Sequence, residues 1–304
     1  MPDIEGRGAS PLPTLAPSVR PPSPRLPSPR LLSPRLLSPR LLSRVPWWLV
    51  ALVGLGIFAV VSFASSAGYR IIIKAVAGGL GVTITVSLIA YCLSILLGLL
   101  LGLMRSSPLR PAREAATFYI ELVRGLPMLV ILYYIAFVGA PALASALNWT
   151  LGPLIRSGLV GEIRVRSFDF ATRAVIALTL GYGAFIAEIF RAGIASVDKG
   201  QVEAAYALGM SRSQAMLRVI LPQAIRNVLP ALANEFVAIV KDSALVSILG
   251  VQDITQLGKV YAASTFLFFE TYNAVAFFYL ILTVTLSLLV RALERNLKEG
   301  RRDD

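Results

Sequence analysis

The sequence predicts an all-α membrane protein, and three observations carry that prediction. Of 304 residues, 56% are hydrophobic, and mean hydropathy is +0.72. One soluble core cannot bury so much apolar surface, so the bilayer must be the solvent for most of it. The apolar residues also fall into runs near the ~20 residues that a bilayer core demands. Finally, the basic residues behind the net charge of +12 gather at the termini and in segments on one side of those runs.

Several function classes are excluded at once. The positive charge follows membrane topology, and no stacking platform or basic groove for nucleic acid is readable. The single cysteine, Cys92, lies in an apolar run and rules out an internal disulfide. With no histidine, HExxH metal sites, Ser-His-Asp triads and His proton relays are absent, so no catalytic or metal residue is nominated. No G-x-x-x-x-G-K-[ST] phosphate loop occurs, so any ATP driving this chain is hydrolysed by another polypeptide.

In chain order, residues 1–45 are low-complexity: from Ser23 the unit SPRLP, then SPRLL three times, places Arg25, Arg30, Arg35 and Arg40 at five-residue spacing, with Arg44 behind. Proline at this density predicts a disordered cytosolic tail. A sharper alternative is a polybasic strip on anionic membrane lipids, its leucines dipping into the interface. Trp47–Ala67 predicts an extra N-terminal transmembrane helix (46–68), too long for a cleaved signal and therefore retained.

A five-span core over 72–297 follows. Ile71–Met104 reads as a glycine-broken interfacial lead-in and a helix from about Leu80. Arg105, Arg110 and Arg113 form a basic loop, and Phe118–Val138 is the next span. A loop over 139–170 is broken by Pro141, Gly152, Pro153 and Gly158. Ala171–Ile194, Leu229–Val251 and Ala274–Leu293 complete the set, the last two separated by a polar segment, Gln252–Asn273. Residues 298–304 are a cytosolic tail. If both termini are cytosolic, the basic residues lie mostly inside, with Arg156, Arg164, Arg166 and Lys259 a minority outside.

Between two of these spans, Asp198–Pro230 reads as two short helices meeting at a glycine. Asp198 and Gln201 cap the first, and alanine-rich Gln201–Leu208 favours helix. Gly209 stops it in the left-handed C′ position. Ser211 and Gln214 form a capping box for the second, which runs to about Leu221 before Pro222. The orientation puts this elbow in the cytosol, where it docks something.

Charges inside the spans mark the remaining candidates. Glu121 with Arg124 and Glu188 with Arg191 share the spacing E-x-x-R, which sets each pair on one helix face near the cytosolic end. They read as a cytosolic gate whose pairs exchange partners, or as self-neutralising pairs that make helix ends tolerable. Lys241 and Asp242, with Ser243 beside them, lie mid-span about 100° apart. An ionisable residue there costs roughly 3 kcal/mol and faces a pathway or a packing partner. A zwitterionic substrate would match them. The hydroxyls of Thr83 and Thr85 add a weak signal.

Glu203-Ala204-Ala205, Gly209 and Ile220-Leu221-Pro222 resemble the EAA loop of ABC-importer permease subunits, and ELVRGLPMLV, YGAFIAEIFRAGI and FVAIVKDSALVSIL resemble the polar amino-acid group, the histidine- and glutamine-permease type. The likeness covers about 72–297. It implies a type I ABC-importer permease fold: an inner-membrane transport subunit, not an enzyme, that imports an amino acid by alternating access. Glu203, Ala204, Ala205 and Gly209 would form the coupling helix. Implied partners are a cytosolic ATP-binding subunit holding ATP and magnesium, an extracytoplasmic substrate-binding protein, and a second permease copy or paralogue. The tail, the first helix and the 139–170 loop lie outside the family's minimal core. Rival readings are an ABC permease for an opine, amine or organic ion, a secondary transporter or channel, and a membrane scaffold.

Overall fold

The structure, a computed structural model, describes residues 47–299. The expectations for the repeat-bearing tail and for 300–304 lie outside the described residues. The contacts divide the chain between Ala51 and Leu52, and the architecture below is that of the unit from Leu52 onward.

All regular structure among the described residues is helical. Helix α1 (Trp47–Ser65) is the apolar N-terminal helix. Then come α2 (Ala67–Ala77), α3 (Gly79–Arg105) and α4 (Arg110–Arg124). Helix α5 (Met128–Tyr134) passes through a π-helical turn, Ile135–Gly139, into α6 (Ala140–Thr150), and α7 (Gly152–Arg156) follows. Helix α8 (Phe170–Ala195) leads to α9 (Lys199–Ala207). Helix α10 (Arg212–Ala215) passes through a second π turn, Met216–Ile220, into α11 (Leu221–Asp242). A 3₁₀ segment, Ser243–Leu249, precedes α12 (Ile254–Thr265) and α13 (Phe268–Glu299).

Among the described residues, four stretches are long and apolar enough to cross a membrane: Ala67–Arg105, Met128–Thr150, Phe170–Ala195 and Phe268–Ala292. This revises several boundaries. Phe118–Val138 is not one span, because the chain breaks at Gly125-Leu126-Pro127 and the apolar helix starts at Met128. The expected loop 139–170 is helical to Arg156. The polar segment Gln252–Asn273 is mostly α12 and the start of α13. The second elbow helix does not stop before Pro222 but runs on as α11, so the Leu229–Val251 window joins an α-helix to a 3₁₀ segment at Asp242.

Proline explains two of these differences. A helical proline lacks an N–H and its ring crowds the carbonyl four residues back. For Pro141 and Pro222 those carbonyls belong to Phe137 and Arg218, and both lie inside the π turns. The wider π turn relieves the clash and lets the helix continue.

The centre of the fold is the α3–α8 seam, closed by small residues so that backbones approach. A Cβ on Gly98 would lie 2.6 Å from Ile186 Cγ2 and 3.0 Å from the Ala187 backbone nitrogen. Gly98→Val is therefore expected to destabilise the fold by about 2 kcal/mol through overpacking. Gly81→Val on the same helix, where nothing lies within 4 Å, should leave the melting temperature in detergent nearly unchanged.

Side-chain hydrogen bonds tie neighbours to this seam. Tyr119 on α4 donates to the Leu180 carbonyl at 2.9 Å, and Tyr91 on α3 donates to the Leu232 carbonyl of α11 at 3.0 Å. Helix α12 docks through Asp253, a fully buried N-cap that accepts from the Gln256 N–H at 2.8 Å and the Tyr279 hydroxyl at 3.0 Å. Thr83, offered by sequence as a pathway hydroxyl, is buried and accepts from the Ile254 N–H at 3.3 Å instead.

Candidate functional site

The elbow is built from its caps upward. Asp198 accepts from the Gln201 N–H and starts α9. The helix ends where Met210 N–H bonds to the Ala205 carbonyl at 3.1 Å and Gly209 N–H to the Tyr206 carbonyl at 2.9 Å. These are the two bonds of a Schellman motif, with Gly209 at φ +78° in the C′ position. Ser211 and Gln214 then form the reciprocal capping box. Gln223 fastens the bend to α11 by donating to the Gln201 side chain at 2.5 Å and to the Val219 carbonyl at 3.0 Å. Ala205 is buried beneath, while Glu203 and Ala204 are exposed. Tyr206 and Leu208 also point outward, Leu208 at 80% exposure. Sequence reasoning passed over these two, whose exposure follows from the packing of α9 rather than from any local pattern.

The charges grouped as a gate are arranged differently from their spacing. Glu188 and Arg191 do pair, at 2.9 Å. Glu121 does not pair with Arg124: both Glu121, at 3.6 Å, and Glu188 reach Arg105, the last residue of α3. Arg105 thus joins α3, α4 and α8, a role that local spacing could not reveal because its partner Glu188 lies 83 residues away. Arg105→Gln would leave a half-buried carboxylate short of one partner, an expected cost of about 2 kcal/mol. Glu121→Gln, at a side chain 62% exposed, should cost well under about 1 kcal/mol. Thermal unfolding of the two variants in detergent checks the difference.

Arg124 instead lies over the Phe185 ring of α8, 5.9 Å from its centroid. The Phe185 and Tyr182 rings are 6.1 Å apart, and the Tyr182 hydroxyl donates to Asp242 at 2.8 Å. Tyr182 is halfway along α8, so α11 ends in mid-membrane at Asp242, while α4 ends at Arg124 beside the next turn of α8. Glu235, seven residues before Asp242 and thus on the same face of α11, is half-buried and interacts electrostatically with it. Lys241 is exposed. Ser243 is buried and its hydroxyl donates to the Val240 carbonyl at 2.8 Å, so it serves its own backbone.

The structure therefore collects two carboxylates, Asp242 and Glu235, and the Arg124 guanidinium around an aromatic pair between interrupted helices. Irregular backbone at this depth is tolerated where it lines a cavity or is buried in protein. Toward the elbow, a cavity of about 510 Å³ lies between α8 and α11, lined by Ile189, Ala192, Gly193, Ser196, Asn227 and Ala231. There Asn227 donates to the Ser196 hydroxyl at 2.9 Å. Sequence reading missed Glu235, Tyr182 and Asn227. For the two on α11, the available signal was that Asn227, Asn234 and Glu235 recur at helical spacing along the helix that carries Asp242; nothing local marked Tyr182.

Residues 94–299 match the family described as binding-protein-dependent transport system inner membrane component. The chain is 38% identical over 218 residues to the probable glutamine ABC transporter permease protein GlnM of Bacillus subtilis (strain 168), covering 72% of this chain and 91% of that one. It is 36% identical over 220 residues to the glutamine transport system permease protein GlnP of Escherichia coli (strain K12), covering 72% and 91%. Among solved structures, an amino acid ABC transporter crystallised with histidines matches with a TM-score of 0.64 and 37% identity, over 77% of this chain and 98% of that one. The inward-facing MetNI methionine ABC transporter shares the fold, with a TM-score of 0.57 at 17% identity, over 74% and 96%.

Proposed function

This chain belongs to the family of binding-protein-dependent transport system inner membrane components, and from that premise we propose that an amino acid crosses it beside Arg124 and Asp242, driven from the elbow at Glu203. The chain is the permease subunit of an amino-acid ABC importer, with a type I importer permease fold. It is a multi-pass inner-membrane transport component, not an enzyme, and a separate ATPase hydrolyses ATP.

One observation supports the residue-level reading above others: the exposed elbow continues, through the π turn, into the same helix that ends at Asp242. Glu203, Ala204, Tyr206 and Leu208 fit the cleft of a cytosolic ATP-binding subunit, which binds ATP and magnesium. The Gly209 turn holds the angle at which they meet it. Asp242 and Glu235 receive the substrate's α-ammonium and Arg124 its α-carboxylate, with Tyr182 orienting Asp242. Lys241, exposed beside Asp242, adds positive potential along the pathway. Arg105, Glu121, Glu188 and Arg191 clamp the cytosolic parts of α3 and α8 to the C-terminal turn of α4 so that the three move together.

Both termini are cytosolic in this reading, as arginine and lysine placement requires. A second permease copy or paralogue completes the pathway, since one elbow serves one of two nucleotide-binding subunits. A substrate-binding protein delivers the solute outside.

The test is reconstitution with the ATP-binding subunit and the substrate-binding protein in liposomes, assayed with radiolabelled amino acids, opines and amines. Accumulation of an L-amino acid that depends on Mg-ATP is expected. Accumulation by the purified permease alone, without a nucleotide hydrolase, would overturn the proposal.

A further inference from the structure

Two hydrogen bonds join α8 to α11, one at each end of their shared seam. Tyr182 donates to Asp242 at 2.8 Å, and Asn227 donates to the Ser196 hydroxyl at 2.9 Å. Tyr182 to Ser196 rises about 21 Å and Asn227 to Asp242 about 22 Å, so the two helices run antiparallel with matched ends. At 100° per residue, Tyr182, Phe185, Ile189, Ala192 and the C-cap Ser196 share one side of α8. Asp242, Glu235, Ala231 and Asn227 share one side of α11. The two faces that carry the charged site therefore continue toward the elbow, where they line the cavity of about 510 Å³.

The room comes from side-chain size. On one flank Gly193 lets the helices touch, and a Cβ there would collide with Val228. Beside it, Ala192 and Ala231 are too short to fill the space between the backbones. Ala192, Ser196 and Asn227 are exposed at the opening. The volume falls within the roughly 300–1,000 Å³ of small-molecule sites.

The lining differs in chemistry from the site at Asp242, since none of its residues carries a charge. Ser196 spends its own proton on the Gly193 carbonyl at 2.7 Å. Asn234, two turns along α11 from Asn227, donates to the Pro230 carbonyl of its own helix at 3.1 Å. Asn227 is thus the side chain placed to read a ligand. An amide donates to a carboxylate and accepts from an ammonium, so it can meet both ends of a zwitterion without an ion pair. Weak binding is what a compartment on the way out requires, because a solute held as firmly as at the carboxylates would not leave.

We propose that this cavity is a second amino-acid subsite, on the cytosolic side of Asp242, where Asn227 holds the solute before release. The proposal rests on the reading that the solute crosses beside Asp242, and it adds a separate place at which that solute pauses.

The chain has one cysteine, so Cys92→Ser gives a clean background for site-directed labelling. In nanodiscs, which open both faces to solvent, the permease–ATPase complex carrying Cys92→Ser and Ala192→Cys should react with a water-soluble maleimide. Each standard L-amino acid is then added in turn. The one that the liposome assay shows to be imported, at about ten times its dissociation constant, should slow the reaction about tenfold, because only the empty fraction reacts. Asn227→Ala should remove that protection, whereas Asp242→Asn should leave it in place. Ala231→Cys reports from the opposite wall should Ala192→Cys fail to assemble. No reaction at either cysteine, no protection by any amino acid, or protection that survives Asn227→Ala would overturn the subsite. So would protection lost in Asp242→Asn, which would make the slowing a distant effect of the charged site. Normal transport by Asp242→Asn would instead overturn the charged site, with the subsite still judged by its own labelling.

Discussion

Glu203→Arg is expected to abolish substrate uptake by the reconstituted complex while the purified permease keeps its native melting temperature. Glu203 is exposed on α9, and no ion pair or hydrogen bond within the described residues depends on it. Reversing it therefore alters only what the elbow presents to its partner. In a desolvated interface a charge buried without a matching partner costs several kcal/mol. Coupling should thus fall by at least about a hundredfold, with uptake lost and ATP hydrolysis no longer responsive to loaded binding protein. Leu208→Ala should show a weaker form of the same defect by removing an apolar anchor. Uptake near the wild-type rate in Glu203→Arg would mean that the elbow does not couple transport to hydrolysis.

The second large effect is expected at the end of α11. Asp242→Asn keeps the shape and still accepts a hydrogen bond from Tyr182, but it removes the charge that would face an α-ammonium. Losing one partner of a desolvated charge pair costs about 3 kcal/mol, or roughly a hundredfold in affinity. Radiolabelled uptake should therefore fail at substrate concentrations that saturate the native complex, while basal ATP hydrolysis persists. Glu235→Gln should act in the same direction. Lys241→Gln, at an exposed residue, should act more weakly. If Asp242→Asn transports amino acids normally, the carboxylate is a packing feature and the substrate site lies elsewhere.

Much of the fold was legible because hydropathy and capping are local. The elbow's Asp198 cap, Gly209 stop and Ser211–Gln214 box all appear where the sequence predicts them. Boundaries failed where proline was read as a terminator. Pro141 and Pro222 sit just after π turns, and neither ends its helix. The break that does exist, at Gly125-Leu126-Pro127, fell inside a window apolar enough to read as one span. The candidate site was half legible. Asp242 stood out as an acid in an apolar run, but its bond to Tyr182 spans 60 residues and the Arg105–Glu188 contact spans 83. Such partners are set by how α3, α8 and α11 pack, so spacing along one helix could only suggest the wrong match, Glu121 with Arg124.

The helix that accommodates Pro222 has a mechanical consequence. From Arg212 to Asp242 the chain has no coil, and only the π turn Met216–Ile220 and Pro230 interrupt its regular hydrogen-bond ladder, so it spans roughly 45 Å as one helical arm. A tilt of about 5° at the cytosolic grip would swing the far tip by about 4 Å, enough to part a carboxylate from a phenol. Small strokes below can thus become a switch above, with the π turn and Pro230 the two points at which the arm can bend.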